Sequence, residues 1–403
     1  MNKFRRIALS ATIFLIMSPV TGEAKQWTLQ ECVNYALENN IALQKIRLQK
    51  RSAIEDVLQS KAALLPSLSA STSQDVTYNP WPQSGRATIA GDYVQTSVDK
   101  VYYNGSYNVT GNWTIWNGNR NRNTLKVNQL ITDEESLDSA VQARTIQEQI
   151  AQYYVQILYS TEAIKVSKES YEMSKKNEER GKTMLKVGKM SNSELAQLTA
   201  QRAEDEYNIV SAESAVRNYK RQLKELLQIT GEDAFDIVSP TTTDEMALQD
   251  VPALNNIYTA ALDNRPELKL YMNKINQSDL NIKIAKAEKL PTITASAGFG
   301  TSTTSMNSTA WGQQLKSNLN LNGGITVSIP LFDQRTSKTA VNKAIIQKES
   351  SLLDLKNEQT TLYSTIENYW LQPATEQNQF KAAKVSRESA QTSYNLLSEQ
   401  FQL

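Results

Sequence analysis

Few side chains in this sequence could perform chemistry, and histidine is missing from all 403 residues. The commonest general base and the commonest transition-metal ligand are therefore unavailable. The single cysteine, Cys32, cannot form an internal disulfide and lies in the helical pattern TLQECVNYAL, where we expect an inert thiol. Acidic residues such as Glu148 and Glu162 fall on solvated helix faces. With no glycine-rich phosphate loop or nucleophile motif, the sequence predicts no enzyme, no cofactor and no metal site.

The charges are nearly balanced, with 43 Lys and Arg against 42 Asp and Glu, so we expect no nucleic-acid partner. The first residues have the organisation of an export signal. Basic residues precede the apolar run Ile7–Met17, and the small-x-small sequence Gly22–Ala24 follows it. The sequence therefore predicts a signal peptide over residues 1–24 and a mature chain that begins at Lys25.

The stretch Tyr107–Ile115, with the sequence YNVTGNWTI, alternates apolar and uncharged polar residues. Because successive side chains of a strand point to opposite faces, Tyr107, Val109, Trp113 and Ile115 share an apolar face. A single strand of this kind also suits a soluble sandwich. Its recurrence along the chain instead favours a transmembrane β-barrel, with lipid outside and water inside.

Similar patterns predict strands over about 67–76, 106–116, 292–300 and 318–331. Residues 75–105 carry prolines, glycines and most of the local charge, and are predicted to be a loop. In the later strands the predicted lipid-facing residues are Ile293, Phe299, Leu319, Leu321, Ile325, Val327 and Ile329.

Residues 119–228 are predicted to form a long antiparallel helical hairpin with its tip at 187–194. Ile146, Ile150, Tyr153 and Ile157 begin a heptad seam on the first helix. The returning helix carries a matching seam, which comprises Ile209, Ala212, Val216, Tyr219, Leu223 and Leu226. Gly188 breaks the first helix, and Ser191 or Ser193 caps the second, with Glu194 in its first turn.

The chain then repeats itself. The sequence LQECVNYALENNIAL at Leu29–Leu43 returns as LNNIYTAALDNRPEL at Leu254–Leu268, and QEQIAQYYVQ at Gln147–Gln156 returns as YSTIENYWLQ at Tyr363–Gln372. We predict a first repeat over 25–235, a linker over 236–251 and a second repeat over 252–403 that ends in a long helix, 335–403. The fold class is an α+β membrane protein, mostly α, in which each tandem repeat has two barrel strands and long coiled-coil helices.

In this register Leu185 corresponds to Phe401, so the second hairpin lacks its returning helix. The sequence could be a fragment or a truncated gene product, and both explanations of the missing helix remain open. Because a long apolar seam would stay unpaired, we expect a chain ending at Leu403 to assemble poorly. SDS-resistant trimers recovered from outer membranes would contradict this expectation.

Four strands leave two open edges whose backbone groups cannot be satisfied in hydrocarbon. The strands must therefore close with copies of themselves. Two copies would give eight strands around a filled interior, and three would give 12 strands and a lumen.

Several motifs resemble those of the TolC-like outer-membrane efflux proteins: WTLQECVNYALENN, LPSLSAS and LPTITAS, IPLFDQRTSKT, and MLKVGKMSNSELAQL. The resemblance implies a homotrimer with a 12-stranded barrel and a periplasmic α-helical tunnel. It places the protein in the outer membrane of a Gram-negative bacterium, extending into the periplasm. The implied function is the passive exit duct of a tripartite efflux pump or type I secretion system, with a periplasmic adaptor protein and an inner-membrane pump as partners.

By the same resemblance, Leu185, Val187, Gly188 and Ser191 would form an adaptor-docking tip. Ser193 and Glu194 would contribute to the links that close the entrance, with Glu where Asp is usual. The alternative is a structural or adhesin protein with a trimeric barrel anchor, which would usually confine its strands to one terminal block. The sequence does not predict the transported substrate.

Overall fold

The computed structural model describes residues 25–81, 85–89, 92–96, 99–231, 235–306 and 308–402. The predicted signal peptide, residues 1–24, lies outside the described residues. The described residues divide into two compact units, one within 25–43 and 143–242 and the other within 44–142 and 243–402.

In the described ranges the strands are β1 (Lys25–Trp27), β2 (Ser67–Tyr78), β3 (Gly85–Ile89), β4 (Asp92–Thr96), β5 (Val101–Trp116), β6 (Phe235–Ile237), β7 (Thr292–Thr304) and β8 (Asn320–Ser328). The helices there are α1 (Leu29–Asn39), α2 (Ile41–Ala62), α3 (Arg120–Lys186), α4 (Asn192–Leu227), α5 (Asp244–Ala247), α6 (Leu254–Asn264), α7 (Pro266–Ala287), α8 (Trp311–Ser317) and α9 (Thr336–Gln402).

The core of the first unit is the predicted heptad seam. Ile146, Ile150 and Ile157 of α3 are buried against Val216 and Leu223 of α4. The other seam residues that are partly buried against this core are Tyr153, Ile164, Tyr219 and Leu226. Burial at this spacing removes one apolar stripe of each helix from water, which stabilises helices whose sequences are otherwise strongly polar. The seam prediction is confirmed for these residues, whereas the predicted seam residues Ile209 and Ala212 are not among those packed in this core.

The start of helix α1 is determined by a local sequence motif. The Thr28 hydroxyl accepts a hydrogen bond from the Glu31 N–H (3.2 Å), and the Glu31 carboxylate accepts one from the Thr28 N–H (2.8 Å). This capping box begins α1. Asn40, in an extended conformation, separates α1 from α2, and its buried side-chain amide donates to the Leu226 carbonyl at 3.1 Å.

The second unit contains a four-stranded sheet with the order β2-β5-β7-β8, antiparallel throughout. A β-bulge falls between Thr114 and Trp116, so that Trp116 takes the position opposite Ile293 and Ile115 is the extra residue. The strand predicted over 318–331 is shorter in the structure. Leu319 precedes β8 and Ile329 follows it, so neither lies in the paired strand.

The region predicted as a loop over 75–105 contains regular structure. β2 continues to Tyr78, which pairs with Val101 at the start of β5. Between these strands β3 and β4 form a separate antiparallel hairpin. The loop prediction is therefore wrong over these residues, because polar composition did not prevent the long ladder from extending.

The duplication is visible in individual hydrogen bonds. The Tyr154 hydroxyl donates to the Trp27 carbonyl at 3.3 Å, and the indole N–H of its counterpart Trp370 donates at 2.9 Å to the carbonyl of Pro252, the counterpart of Trp27. One difference between the long helices is Pro373, which lies in the interior of α9.

Both long helices also follow the same turn. Gly118 and Asn119 precede α3 with φ of 66° and 64°, and Gln334 and Arg335 precede α9 with φ of 52° and 71°. Two successive left-handed residues thus redirect each repeat from its second strand into its long helix.

Candidate functional site

The tip of the helical hairpin, residues 187–191, is shaped by a glycine that ends α3. Gly188 has φ of 73°, and its N–H donates to the Leu185 carbonyl at 3.0 Å. The Lys189 N–H donates to the Met184 carbonyl at 2.9 Å, which completes a Schellman motif. Val187 is 64% exposed.

Ser191 begins the returning helix with a second capping box. Its N–H and hydroxyl donate to Oε2 of Glu194 at 2.7 and 2.9 Å, and the Glu194 N–H donates to its hydroxyl at 3.2 Å. The Ser191 backbone N–H, followed by its hydroxyl, lowers the pKa of the Glu194 carboxyl below its ordinary value. Ser193 lies between them on the exposed surface. The predicted tip residues therefore lie on the turn between α3 and α4 or on the helix ends beside it.

An ion-pair cluster joins the two helices below the tip. Glu178 of α3, with only 8% of its side chain exposed, accepts hydrogen bonds from Lys182 at 2.9 Å and from Arg202 of α4 at 2.9 Å. Thr199 donates to the same carboxylate at 3.1 Å. The hydrogen bond from Lys182 makes the largest contribution to lowering the pKa of Glu178, and Thr199 and the charge of Arg202 act in the same direction.

Sequence reasoning missed this cluster. The spacing of Glu178 and Lys182 is a visible helical ion-pair signal, whereas the contact with Arg202 depends on the register of the two helices. Gly181, also missed, lies where α4 crosses α3 closely. A Cβ at this position would approach Leu198 Cδ1 to 2.7 Å and Met190 Sδ to 3.2 Å.

The four-stranded sheet presents one apolar and one polar face. Val109, Phe299 and Leu321 align across neighbouring strands, as do Trp113, Ala295 and Ile325. Leu321 is 82% and Ile325 is 70% exposed. The opposite face carries uncharged side chains and glycines, among them Ser69, Asn108, Thr110, Asn112, Ser296, Gly298, Asn322 and Thr326. A face this apolar requires a partner other than water.

Tyr107 differs from the other predicted lipid-facing residues. Its hydroxyl accepts a hydrogen bond from Gln74 at 2.9 Å, and its ring meets the ring of Trp311 edge-on at 6.2 Å between centroids. Helix α8, which carries Trp311, is fixed to β7 by the side chain of Gln314, whose oxygen accepts from the Thr304 N–H at 2.8 Å. Tyr107 is consequently half-buried beneath this helix.

The length of β8 suits the apolar layer of an outer membrane. Its 9 residues extend about 30 Å along the strand. At a barrel tilt of about 40° the height is about 23 Å, close to the apolar band of about 25 Å on known barrels.

Within the described ranges, none of the helices has a segment both long and apolar enough to cross a bilayer.

The model of the outer membrane efflux protein family matches residues 32–231 and 257–403. The chain belongs to the outer membrane efflux protein family. It is also similar to Toxin and drug export protein A of Aggregatibacter actinomycetemcomitans, with 22% identity over 350 residues that cover 86% of this chain and 71% of the relative.

Solved structures show the same fold at low identity. CusC aligns with a TM-score of 0.74 and 15% identity, over 97% of this chain and 86% of its own. The outer membrane channel CmeC of Campylobacter jejuni aligns with a TM-score of 0.73 and 19% identity, over 93% and 76%. As an outer membrane efflux protein, the chain resides in the outer membrane, extends into the periplasm and serves as the channel component of export.

Proposed function

We propose that this outer membrane efflux protein is the passive exit duct of a tripartite efflux pump or type I secretion system, working as a homotrimer. The supporting observation is the two-faced sheet with two unpaired edges, β2 and β8. Because four antiparallel strands alternate in direction, β2 and β8 run opposite to each other. Copies arranged in a ring can therefore continue the antiparallel ladder across each boundary, and three copies give 12 strands.

In this assembly the apolar face meets lipid and the polar face lines the lumen. The lipid-facing set comprises Tyr107, Val109, Trp113, Ile115, Ile293, Phe299, Leu321, Ile325 and Val327, with Leu319 and Ile329 at the ends of β8. The sequence divides into repeats at 25–235 and 252–403. The neutral polar lumen suits cargo that passes without tight binding. The cargo could be small molecules or polypeptides, since the similar protein is named Toxin and drug export protein A.

The hairpin tip is the proposed docking surface for a periplasmic adaptor, which in turn couples to an inner-membrane pump. Leu185, Val187, Gly188 and Ser191 lie on or beside one turn, where exposed Val187 offers an apolar contact and the ordered backbone offers fixed polar groups. This arrangement favours recognition by a preorganised surface, since little ordering is required on binding.

Ser193 and Glu194 are the proposed entrance-closing residues. The hydrogen bonds from Ser191 to the Glu194 carboxylate both go to Oε2, so the cap does not use Oε1. The exposed Ser193 hydroxyl adds a donor beside it. A neighbouring hairpin could thus be linked without loss of the helix cap.

Disulfide cross-linking between β2 of one copy and β8 of the next tests whether the sheets close into a trimeric barrel. The native Cys32 is buried, so cysteines introduced on the edges will dominate the reaction. Ser69→Cys on β2 is combined in turn with Asn322→Cys, Gly324→Cys or Thr326→Cys on β8, and each single variant serves as a control.

Oxidation of outer membranes should give, for at least one pair, a reducible ladder that ends at three chains. A ladder that continues beyond three, or no intermolecular product from any pair, would overturn the trimeric barrel.

A further inference from the structure

A cluster of four cations lies where the strands meet the long helices of the second unit. Arg122 and Lys126 at the start of α3 face Lys283 and Lys286 at the end of α7, around a concave surface of about 460 Å³ that also includes Leu290. All four cations are exposed, and the residues lining this surface include no acid. Among the described contacts none of the four forms an ion pair.

A second cationic surface adjoins the end of β8. Lys289, Arg335 and Lys338 surround Leu331 and Phe332 in a concavity of about 400 Å³. Leu331 is 94% and Phe332 is 86% exposed, so large apolar side chains project directly beside three cations. This combination is typical of a membrane boundary, where apolar groups enter the acyl layer and basic groups remain among phosphates.

The one acid on the second surface, Asp333, is engaged by its own helix. Its carboxylate accepts hydrogen bonds from the Ser337 hydroxyl, from the Ser337 N–H at 2.9 Å and from the Arg335 N–H at 3.1 Å. The Ser337 hydroxyl, the largest cause, lowers the pKa of Asp333 below its ordinary value. Asp333 therefore caps α9 and makes no ion pair with the surrounding cations among the described contacts.

The two surfaces form one band. Lys289 belongs to the second surface and Leu290, the next residue, to the first. The band also follows the duplication, because Arg122 of the first repeat corresponds to Lys338 of the second, each shortly after the same left-handed turn. It begins directly beyond the apolar face, since β7 starts at Thr292 and β8 ends at Ser328.

We propose that this band, which we term the basic collar (Arg122, Lys126, Lys283, Lys286, Lys289, Arg335 and Lys338), binds the phosphate groups of anionic phospholipids in the periplasmic leaflet of the outer membrane. The inference rests on the proposed lipid-facing orientation of the sheet. The collar lies on the helical, periplasmic side of that sheet, at the depth of the headgroups. Phosphates there would pair with cations that have no acidic partner among the ion pairs of the described residues, and they would fix the depth of the barrel in the bilayer.

The test compares lipid retention by the full chain, inserted into bilayers of phosphatidylcholine with phosphatidylglycerol and then extracted in mild detergent. In the neutral variant four cations become glutamine, namely Arg122→Gln, Lys126→Gln, Lys283→Gln and Lys286→Gln. The charge-keeping variant carries Arg122→Lys, Lys126→Arg, Lys283→Arg and Lys286→Arg. The matched control removes four exposed cations elsewhere, through Lys175→Gln, Lys176→Gln, Lys356→Gln and Lys381→Gln.

Each basic residue near an anionic surface strengthens binding by about fivefold. The neutral variant should therefore retain at least about tenfold less phosphatidylglycerol than the unaltered chain, while the charge-keeping variant and the control retain it. Inorganic phosphate at millimolar concentration should not displace the lipid.

Equal retention by the neutral variant and the control, once both are inserted, would overturn the collar and leave the duct intact. Displacement by inorganic phosphate would also overturn it, in favour of a free-anion site. Failure of the unaltered chain to insert at all would instead overturn the proposed orientation, and the collar with it.

Discussion

Replacing Ile325 with arginine should prevent insertion, whereas the same change at its neighbour Thr326 should not. Ile325 pairs with Ala295, which pairs with Trp113, so it lies on the apolar face within the paired part of the sheet. Arginine on the lipid face of a barrel costs about 2–4 kcal/mol near the bilayer midplane. In a trimer the charge is present three times, which gives about 6–12 kcal/mol per assembly.

Thr326 supplies a matched control, because it is adjacent in sequence and points to the opposite, polar face. Both variants add the same charge to the same strand, so their effects on β-propensity and export should be alike. The assay is the fraction of protein that resists urea extraction from outer membranes, together with refolding yield into lipid vesicles. Ile325→Arg should lose most of the inserted fraction and Thr326→Arg should stay close to the unaltered chain. Equal losses, or a greater loss for Thr326→Arg, would refute the assignment of faces.

Three further variants probe the hairpin and its core. Gly188→Ala should lower the free energy of unfolding by about 1–2 kcal/mol in thermal melts, because a side chain is strained in the left-handed conformation of this turn. Gly312→Ala is the control, since Gly312 lies in open space and has no positive φ. Glu178→Gln should reduce the acid sensitivity of the hairpin in hydrogen exchange. The lowered pKa of the Glu178 carboxyl stabilises the fold above the ordinary value of 4.5, and that contribution is lost as the pH falls through the folded pKa. Tyr154→Phe should cost about 1 kcal/mol in denaturant titrations by removing the 2.5 Å bond to the Val238 carbonyl, and an unchanged midpoint would contradict this.

The sequence predicts those features of the fold that follow from a regular spacing of apolar residues. Ile146, Ile150 and Ile157 could be assigned to the core because apolar residues at heptad spacing cannot all face water. The alternation in β5 identifies its two faces for the same reason. The capping box at Thr28 depends only on Thr28 and Glu31, three residues apart, so its signal is local in the sequence.

What depends on contacts between distant segments could not be predicted. The start of β5 at Val101 requires its partner Tyr78, and the bulge at Ile115 requires the register with β7. Helix α8 is too short for a periodic signal, and it is held by a hydrogen bond between Gln314 and Thr304 that depends on the fold. The role of Glu178 emerges only once Arg202 is brought opposite it.

The proline within α9 makes this helix less stiff than α3, its counterpart in the first repeat. Pro373 lacks an N–H, so the carbonyl of Tyr369 loses its helical donor and the ring crowds the preceding turn. Its counterpart in α3, Ile157, keeps that bond and is buried in the core. The two long helices of the duplicated chain therefore differ in stiffness at this position. We expect α9 to bend at Pro373 more readily than α3 bends at Ile157.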